Sequence, residues 1–494
     1  MNVDLLIKNG TVVNAEECFR GDVAVKDGKI VAVGHFDGGA GAGFARSVAG
    51  PGPSPVTGHA DRPDGCPVGA GLGIHAAKVV DASGKYVLPG GIDAHTHMAL
   101  PVGGTTSSDG YFTGTRAAAC GGVTTIFDYP TQYRGRGIVE SVRERRDMCA
   151  PEACVDYAFH CAVTDLGGGK TLDEFAAAVD YGVTSFKCYM VYKAAGLMVE
   201  DDALLRIMAR AKEVGAITCV HAENAPLIDL NVERFKREGK TTPWYHYLSR
   251  DEDVEAEADK RAVHLAKTIG APLYIVHMAD EEGLLAARDA KLAGHDIFIE
   301  TCPQYLAFTR DVYRREDGYL YVCSPPMKGE GSRRELWEAV RNGTIDTVAT
   351  DHCPFMAHEK AWGKEDFTKS PNGCGGVENL YPYMLAAANA GEITFSRAVQ
   401  LCASNPARIF GCTDKGSLRP GKDADIVIYD PGKAFTVSAG NTHSASDHTI
   451  WEGRTYKGYP VQTYVRGTLV YDDGEFVGEP GFGRYVRRAP HRWG

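Results

Sequence analysis

The chain reads as an α/β protein, a (β/α)8 barrel with a small β domain assembled from both of its ends. Three observations carry that reading. Eight short apolar runs alternate with amphipathic helical stretches through the middle of the sequence. The two ends repeat one grammar of β-rich runs punctuated by Asn-Gly or Asp-Gly. Five of the eight runs also carry a metal-competent or ionisable His, Lys or Asp toward their C-terminal ends, so that these residues share one rim. A length of 494 residues suits a large barrel plus a satellite domain.

At the N-terminus, LLIKNGTVVN and DVAVKDGKIVAVG set Asn-Gly and Asp-Gly between β formers, the strongest short hairpin signal. Near the other end DADIVIYDP and VQTYVRGTLVYDDGEFVG repeat it. The expected division gives 1–85 and 415–480 to the β domain, 86–414 to the barrel and 481–494 to a tail. Residues 35 to 77 interrupt the pattern with Gly, Ala, Pro and Ser and no periodicity. They are expected to form a disordered surface insertion, with a lid or an oligomer contact as the functional alternative. No helix follows the GGAGAG at 38–43, so it is a poor nucleotide fingerprint.

The apolar runs are YVLPGGIDAHTH (86–97), VTTIFD (123–128), VDYAFHCA (155–162), VTSFKCYM (183–190), AITCVH (216–221), PLYIVH (272–277), DIFIET (296–301) and IDTVATD (345–351). Helical stretches such as DDALLRIMARAKEV (201–214) and DEEGLLAARDAKLA (280–293) lie between them. Continuous apolar strands alternating with helices imply a parallel sheet buried on both faces. Eight such units close into a barrel whose chemistry sits at the C-terminal ends of the strands.

A net charge of −11 argues against nucleic acid or an anionic membrane as partner. No stretch is apolar for long enough to span a bilayer, and the N-terminus lacks the basic start and apolar core of a signal peptide. The 14 cysteines are scattered without a CxxC pair, which fits a reducing compartment. A cytoplasmic location is expected.

His95 and His97 end the first run, Lys187 lies in the fourth, His221 and His277 end the fifth and sixth, and Asp351 ends the eighth. Residues i and i+2 of a strand share a face, so His95 and His97 can close on one target. Singly, each residue has a plainer explanation: a hydrogen-bonded structural His, a snorkelling Lys, an Asp at a helix N-cap. Their convergence on one barrel rim favours a metal centre. Imidazoles with one carboxylate suit Zn2+ or a similar divalent ion. A buried lysine loses its proton more easily, and a neutral amine takes up CO2 to give a carbamate able to bridge two ions. The expected site is binuclear, with His95, His97 and Asp351 on one ion, His221 and His277 on the other, and Lys187 between them. Two close ions share a water and generate hydroxide, with Asp351 as general base and then acid.

In order along the chain, GGIDAHTH, GGTTSSDGYFTGTRAAACGGVTT, SFKCYMVYK, HAEN, YIVHMA, ETCPQYL, CSPPMK, ATDHCPF and PNGCGGVEN resemble the dihydropyrimidinase and D-hydantoinase family of cyclic amidohydrolases. The resemblance implies a TIM-like barrel with a β-sandwich satellite and a carboxylated-lysine (N6-carboxylysine) binuclear zinc site. The activity it implies is hydrolytic opening of hydantoins and 5,6-dihydropyrimidines to N-carbamoyl amino acids. All six ligand positions match. It further implies that Tyr192 steadies the developing oxyanion, that Ser324 and Asn372 contact the ring imide through backbone groups, and that His352 supports the ligands without joining them. The tail YVRRAPHRWG resembles arms that lie across a neighbouring subunit, a solvated basic tail being the alternative, and a homo-oligomer, tetramer or dimer, is implied. Tyr189 and the loop MALPVGG depart from many relatives, which leaves ring substituent and enantiomer open. Two other readings rank lower. The collapsin response mediator proteins, non-catalytic scaffolds of the same family, have lost metal ligands that are complete here. Dihydroorotases carry an arginine after the His-x-His where this chain has Met98-Ala99-Leu100; an allantoinase is the other sister enzyme.

Overall fold

Backbone hydrogen bonding sorts the described residues, 1–36 and 73–493 of this computed structural model, into two main sheet systems. Eight parallel strands form the first: Gly91–Thr96, Val123–Asp128, Asp156–Phe159, Ser185–Tyr189, Ile217–His221, Leu273–Ile275, Ile297–Thr301 and Thr347–Val348. The third breaks at His160 and resumes as Cys161–Val163, which pairs with the fourth. The ring closes where Thr96 bridges His352 in parallel; His97 N donates to His352 O at 2.8 Å and His352 N to His95 O at 3.3 Å. Every residue of the first two strands is buried, as a sheet covered on both faces requires.

The outer helices follow from amphipathic spacing and charge. Asp201–Glu213 buries Leu204, Ile207, Met208 and Ala211 at helical intervals. It opens on Asp201 and Asp202 and closes on Arg210 and Lys212, the order that suits the helix dipole. Glu281–Leu292 is capped by Asp280, whose side chain accepts from Gly283 N at 2.8 Å. No helix among the described residues is long and apolar enough to cross a membrane.

The second system is a nine-stranded sheet built from both chain ends. It curls around one apolar core that takes Leu5, Ile7, Val23 and Val25 from one end and Ile426, Ile428, Val461 and Tyr464 from the other, giving the β-sandwich domain. Asp27-Gly28, both at positive φ, turn the hairpin between Cys18–Lys26 and Lys29–Gly34, and Asp473-Gly474 turn another.

Four expectations change. The run 86–97 is two strands in two sheets. Tyr86–Pro89 pairs with Asn2–Val13 and Ile426–Thr436, so the barrel starts at Gly91. The crossing passes through Gly90, where a Cβ would meet the Thr124 side chain at 2.1 Å. Asn9-Gly10 does not turn a hairpin; it forms a bulge inside Asn2–Val13, with Asn9 at φ 63° and its N–H bound to Asp22 at 2.8 Å. Most of the expected insertion at 35–77 lies outside the described residues, but 75–77 open the strand His75–Asp81, paired with Asn2–Val13. Finally, the tail lies on its own barrel. Val486 N donates to Tyr157 O and His491 N to Gly215 O, each at 2.8 Å. Arg488 is buried in the barrel floor and donates to Ser185 Oγ at 2.8 Å. That apolar floor, with Phe127, Tyr274 and Phe410, gives Val486 and Trp493 a surface to cover.

Candidate metal centre

The six side chains converge at the C-terminal rim of the barrel. The Nε2 atoms of His95 and His97 lie 3.1 and 2.9 Å from one oxygen, Asp351 Oδ1. Lys187 Nζ lies 3.5 Å from His95 Nε2 and 4.9 Å from the centre of the Tyr129 ring. His277 Nε2 sits 2.9 Å from His221 Nδ1, and the His95 and His277 rings stack at 5.4 Å. All are buried except Asp351, whose carboxylate keeps 16% exposure at the mouth.

Burial, then the Lys187 charge, pushes His95 well below the usual histidine range; burial, then His221 and Lys187, does the same to His277. Burial also lowers Lys187, opposed by Asp351 and Glu300. For Asp351 burial works against the charge, but His95, then His97 and Lys187, hold it below the usual carboxylate range. The site thus offers neutral imidazole lone pairs, an anionic carboxylate and an amine inclined to lose its proton. His97 Nδ1 and His277 Nδ1 are buried without a hydrogen-bond partner. Such a donor set fits divalent cations: His95, His97 and Asp351 form one group able to hold an ion, and His221 and His277 face each other beside it.

The sequence reading missed the carboxylates behind the ligands. Glu300, in Ile297–Thr301, accepts from His95 Nδ1 at 2.7 Å and His277 N at 2.9 Å through Oε1, and from Tyr274 OH at 2.8 Å through Oε2. It fixes the tautomer that leaves His95 Nε2 as a lone pair. Burial, opposed by Tyr274, raises its pKa to about 7. Glu223 does the same for His221, accepting from Nε2 at 2.7 Å while paired with Arg250 at 2.7 Å. Despite burial, Arg250 and His221 hold its pKa to about 2. The signals were present as a Glu inside an apolar strand and a Glu two residues past a candidate ligand. Asp93 joins the first and eighth strands through Thr350 N at 3.1 Å and Thr350 Oγ1 at 2.5 Å.

His352 points away from the ligands. Its Nε2 meets Asp109 Oδ2 at 3.0 Å and its Nδ1 accepts from Gly376 N at 3.0 Å. Tyr192 stands at the mouth, its ring 5.1 Å from that of His221. Asn372 Nδ2 donates to Ser324 Oγ at 3.0 Å, and Tyr192 lies near the same serine. These three therefore form one edge of the mouth.

Comparison with known proteins fits this geometry. Residues 86–470 match the model of the amidohydrolase family. The chain is 37% identical over 495 residues to a D-hydantoinase of Ralstonia pickettii, covering 99% of this chain and 100% of that protein. It is 38% identical to a D-phenylhydantoinase of Escherichia coli, covering 98% of each. Among solved structures, a dihydropyrimidinase from Brevibacillus agri superposes with TM-score 0.88 at 35% identity, covering 99% of both chains.

Proposed function

Because the chain belongs to the amidohydrolase family, we propose that its barrel rim opens cyclic ureides, hydantoins and 5,6-dihydropyrimidines, by hydrolysis to N-carbamoyl amino acids. The protein is a cyclic amidohydrolase acting on C–N bonds. The observation that carries the reading is the meeting of His95, His97, Lys187, His221, His277 and Asp351 at one rim, with Tyr192, Ser324 and Asn372 along its edge.

His95, His97 and Asp351 would hold one divalent ion and His221 and His277 a second. Two ions there, zinc on the chemistry of the donors, would supply an acidified water and polarise the ring carbonyl. The neutral Lys187 amine adds CO2 and loses a proton, giving N6-carboxylysine, an anion between the two halves of the site. Asp351, held anionic by its neighbours, takes a proton from the attacking water. Water oxygen bonds to the ring carbonyl carbon, the adjacent ring C–N bond breaks, and that nitrogen receives the proton from Asp351. The Tyr192 hydroxyl, kept protonated by burial, donates to the carbonyl oxygen as charge gathers on it. Backbone groups of Ser324 and Asn372 hold the ring imide.

A carboxylate-reading alternative finds no support. Met98 is buried, and Arg145 beside it is ion-paired to Asp128 at 2.9 Å. We place the enzyme in the cytoplasm, a location supported by 13 unpaired cysteines among the described residues. Turnover of dihydrouracil, hydantoin and 5-phenylhydantoin, with metal measured on the same preparation, tests the reading. Lys187→Ala should lose metal and turnover together, and a metal-loaded, fully active variant would exclude the bridging role.

A further inference from the structure

The short helix Ala357–Lys360 carries a buried ammonium whose hydrogen bonds all go to main chain. Lys360 Nζ donates to Val322 O at 2.6 Å, to Pro371 O at 3.0 Å and to Gly373 O at 3.0 Å. Val322 stands two residues before Ser324, and Pro371 and Gly373 flank Asn372 on either side. One amine therefore ties together the two loops that carry the imide-contacting pair. A lysine ammonium has three donors, and all three are used. The loops also touch without it, through Gly373 N to Val322 O at 3.0 Å and Asn372 Nδ2 to Ser324 Oγ at 3.0 Å. These bonds give the two loops contact; the ammonium adds a fixed spacing, because it draws three carbonyl dipoles onto one point. The preceding residue reaches the opposite side of the mouth. Glu359 accepts from Thr105 Oγ1 in the loop after the first barrel strand, and that loop packs at Gly103 against Pro371.

We propose that Lys360 is a positioning residue for substrate, a clasp that holds the Ser324 and Asn372 backbone at the separation the ring imide needs. The inference rests on the cyclic-ureide reading of this mouth. Lys360 touches none of the six metal-centre side chains through its amine, so its loss weakens ring binding and leaves the chemical step intact. Contacts made equally to substrate and transition state appear in KM and not in kcat.

The experiment compares Lys360→Met with the wild-type holoenzyme by metal content, steady-state kinetics on the best of the three ring substrates, and amide hydrogen exchange. Expected are full metal content, kcat within about threefold, KM raised about fivefold or more, and faster exchange confined to 322–326 and 371–375. A KM raised less than about fivefold overturns the proposal. So does a loss of metal and kcat with faster exchange throughout, which marks a general structural role. Should the Met variant not fold, Lys360→Gln, which keeps two N–H donors, is held to the same exchange criterion, and unchanged exchange in both loops overturns the clasp. If wild-type protein turns over none of the rings, the function reading fails; the clasp then stands or falls on the exchange result alone.

Discussion

Glu300 gives the sharpest test of how the metal centre is organised, because all three of its partners donate to it. Oε1 receives His95 Nδ1–H and His277 N–H, and Oε2 receives Tyr274 O–H. Glu300→Gln turns one end into a donor. An NH2 on the Oε1 side would face two N–H groups. On the Oε2 side it faces Tyr274, whose hydroxyl can swing its proton to Thr347 Oγ1 at 2.6 Å and accept instead. The amide therefore settles with its oxygen toward His95, and the loss is that of charge alone. For the ligand ring itself, the charge-assisted bond to His95 Nδ1 of about 1.5–3 kcal/mol becomes a neutral one of about 0.5–1.5 kcal/mol, a loss of about 1–1.5 kcal/mol. That weakens metal binding about five- to twelvefold. Glu300→Ala leaves both N–H groups without an acceptor, at about 1–3 kcal/mol each, and should weaken binding more than about thirtyfold. Chelator competition at pH 8 measures both. At pH 6 the gap between wild type and Glu300→Gln should narrow, since a carboxyl raised to about 7 carries a proton there that metal binding must expel. Binding by the Gln variant within twofold of wild type at pH 8, or a gap unchanged at pH 6, would refute the assignment.

Two further outcomes follow from other parts of the structure. Tyr192→Phe should lower kcat on 5-phenylhydantoin by about 10²–10³ with metal content intact, and a loss confined to KM would remove the hydroxyl from the chemical step. Asp259 is buried with neither oxygen meeting a donor, and burial, then Asp280, raises its pKa well above the unfolded value. A raised carboxyl binds its proton more tightly when folded, so wild type loses stability as pH rises above the unfolded value. Asp259→Asn should gain about 1 kcal/mol or more at pH 8 in urea unfolding, with the gain vanishing near pH 4. A variant less stable than wild type at pH 8 would show that the carboxylate has a counter-charge.

Much of this was legible because barrel strands are short, apolar and repeated. The alternation of apolar runs with helical stretches set the barrel, the matching chain ends set the β domain, and the polar ending of a strand named five of the six candidate ligands. What stayed hidden was two-fold. Pairing between distant segments is invisible to local pattern, so YVLPGGIDAHTH read as one strand although Pro89 and Gly91 serve different sheets. Local turn chemistry can be overridden by tertiary pairing: Asn9-Gly10 has hairpin residues, but Asn2–Val13 must pair with His75–Asp81 on one stretch and Tyr86–Pro89 on the next, and a bulge makes that change.

Backbone strain at the centre was also unreadable. Tyr192, His277 and Asp351 take φ of 66°, 42° and 53°, a left-handed region that costs a side-chain-bearing residue about 1–3 kcal/mol. Glycine would relax each position, but glycine has no imidazole, carboxylate or phenol to offer. The surroundings must therefore impose the conformation. His277 is held by its N–H on Glu300, and Asp351 lies between Thr350, bound to Asp93, and His352, bound to Asp109 and Gly376. Glu300 thus sets both the tautomer of one candidate ligand and the backbone of another. A carboxylate kept in an otherwise apolar strand serves both tasks from one oxygen through charge-assisted bonds, which a neutral amide in its place would make only as weaker neutral ones.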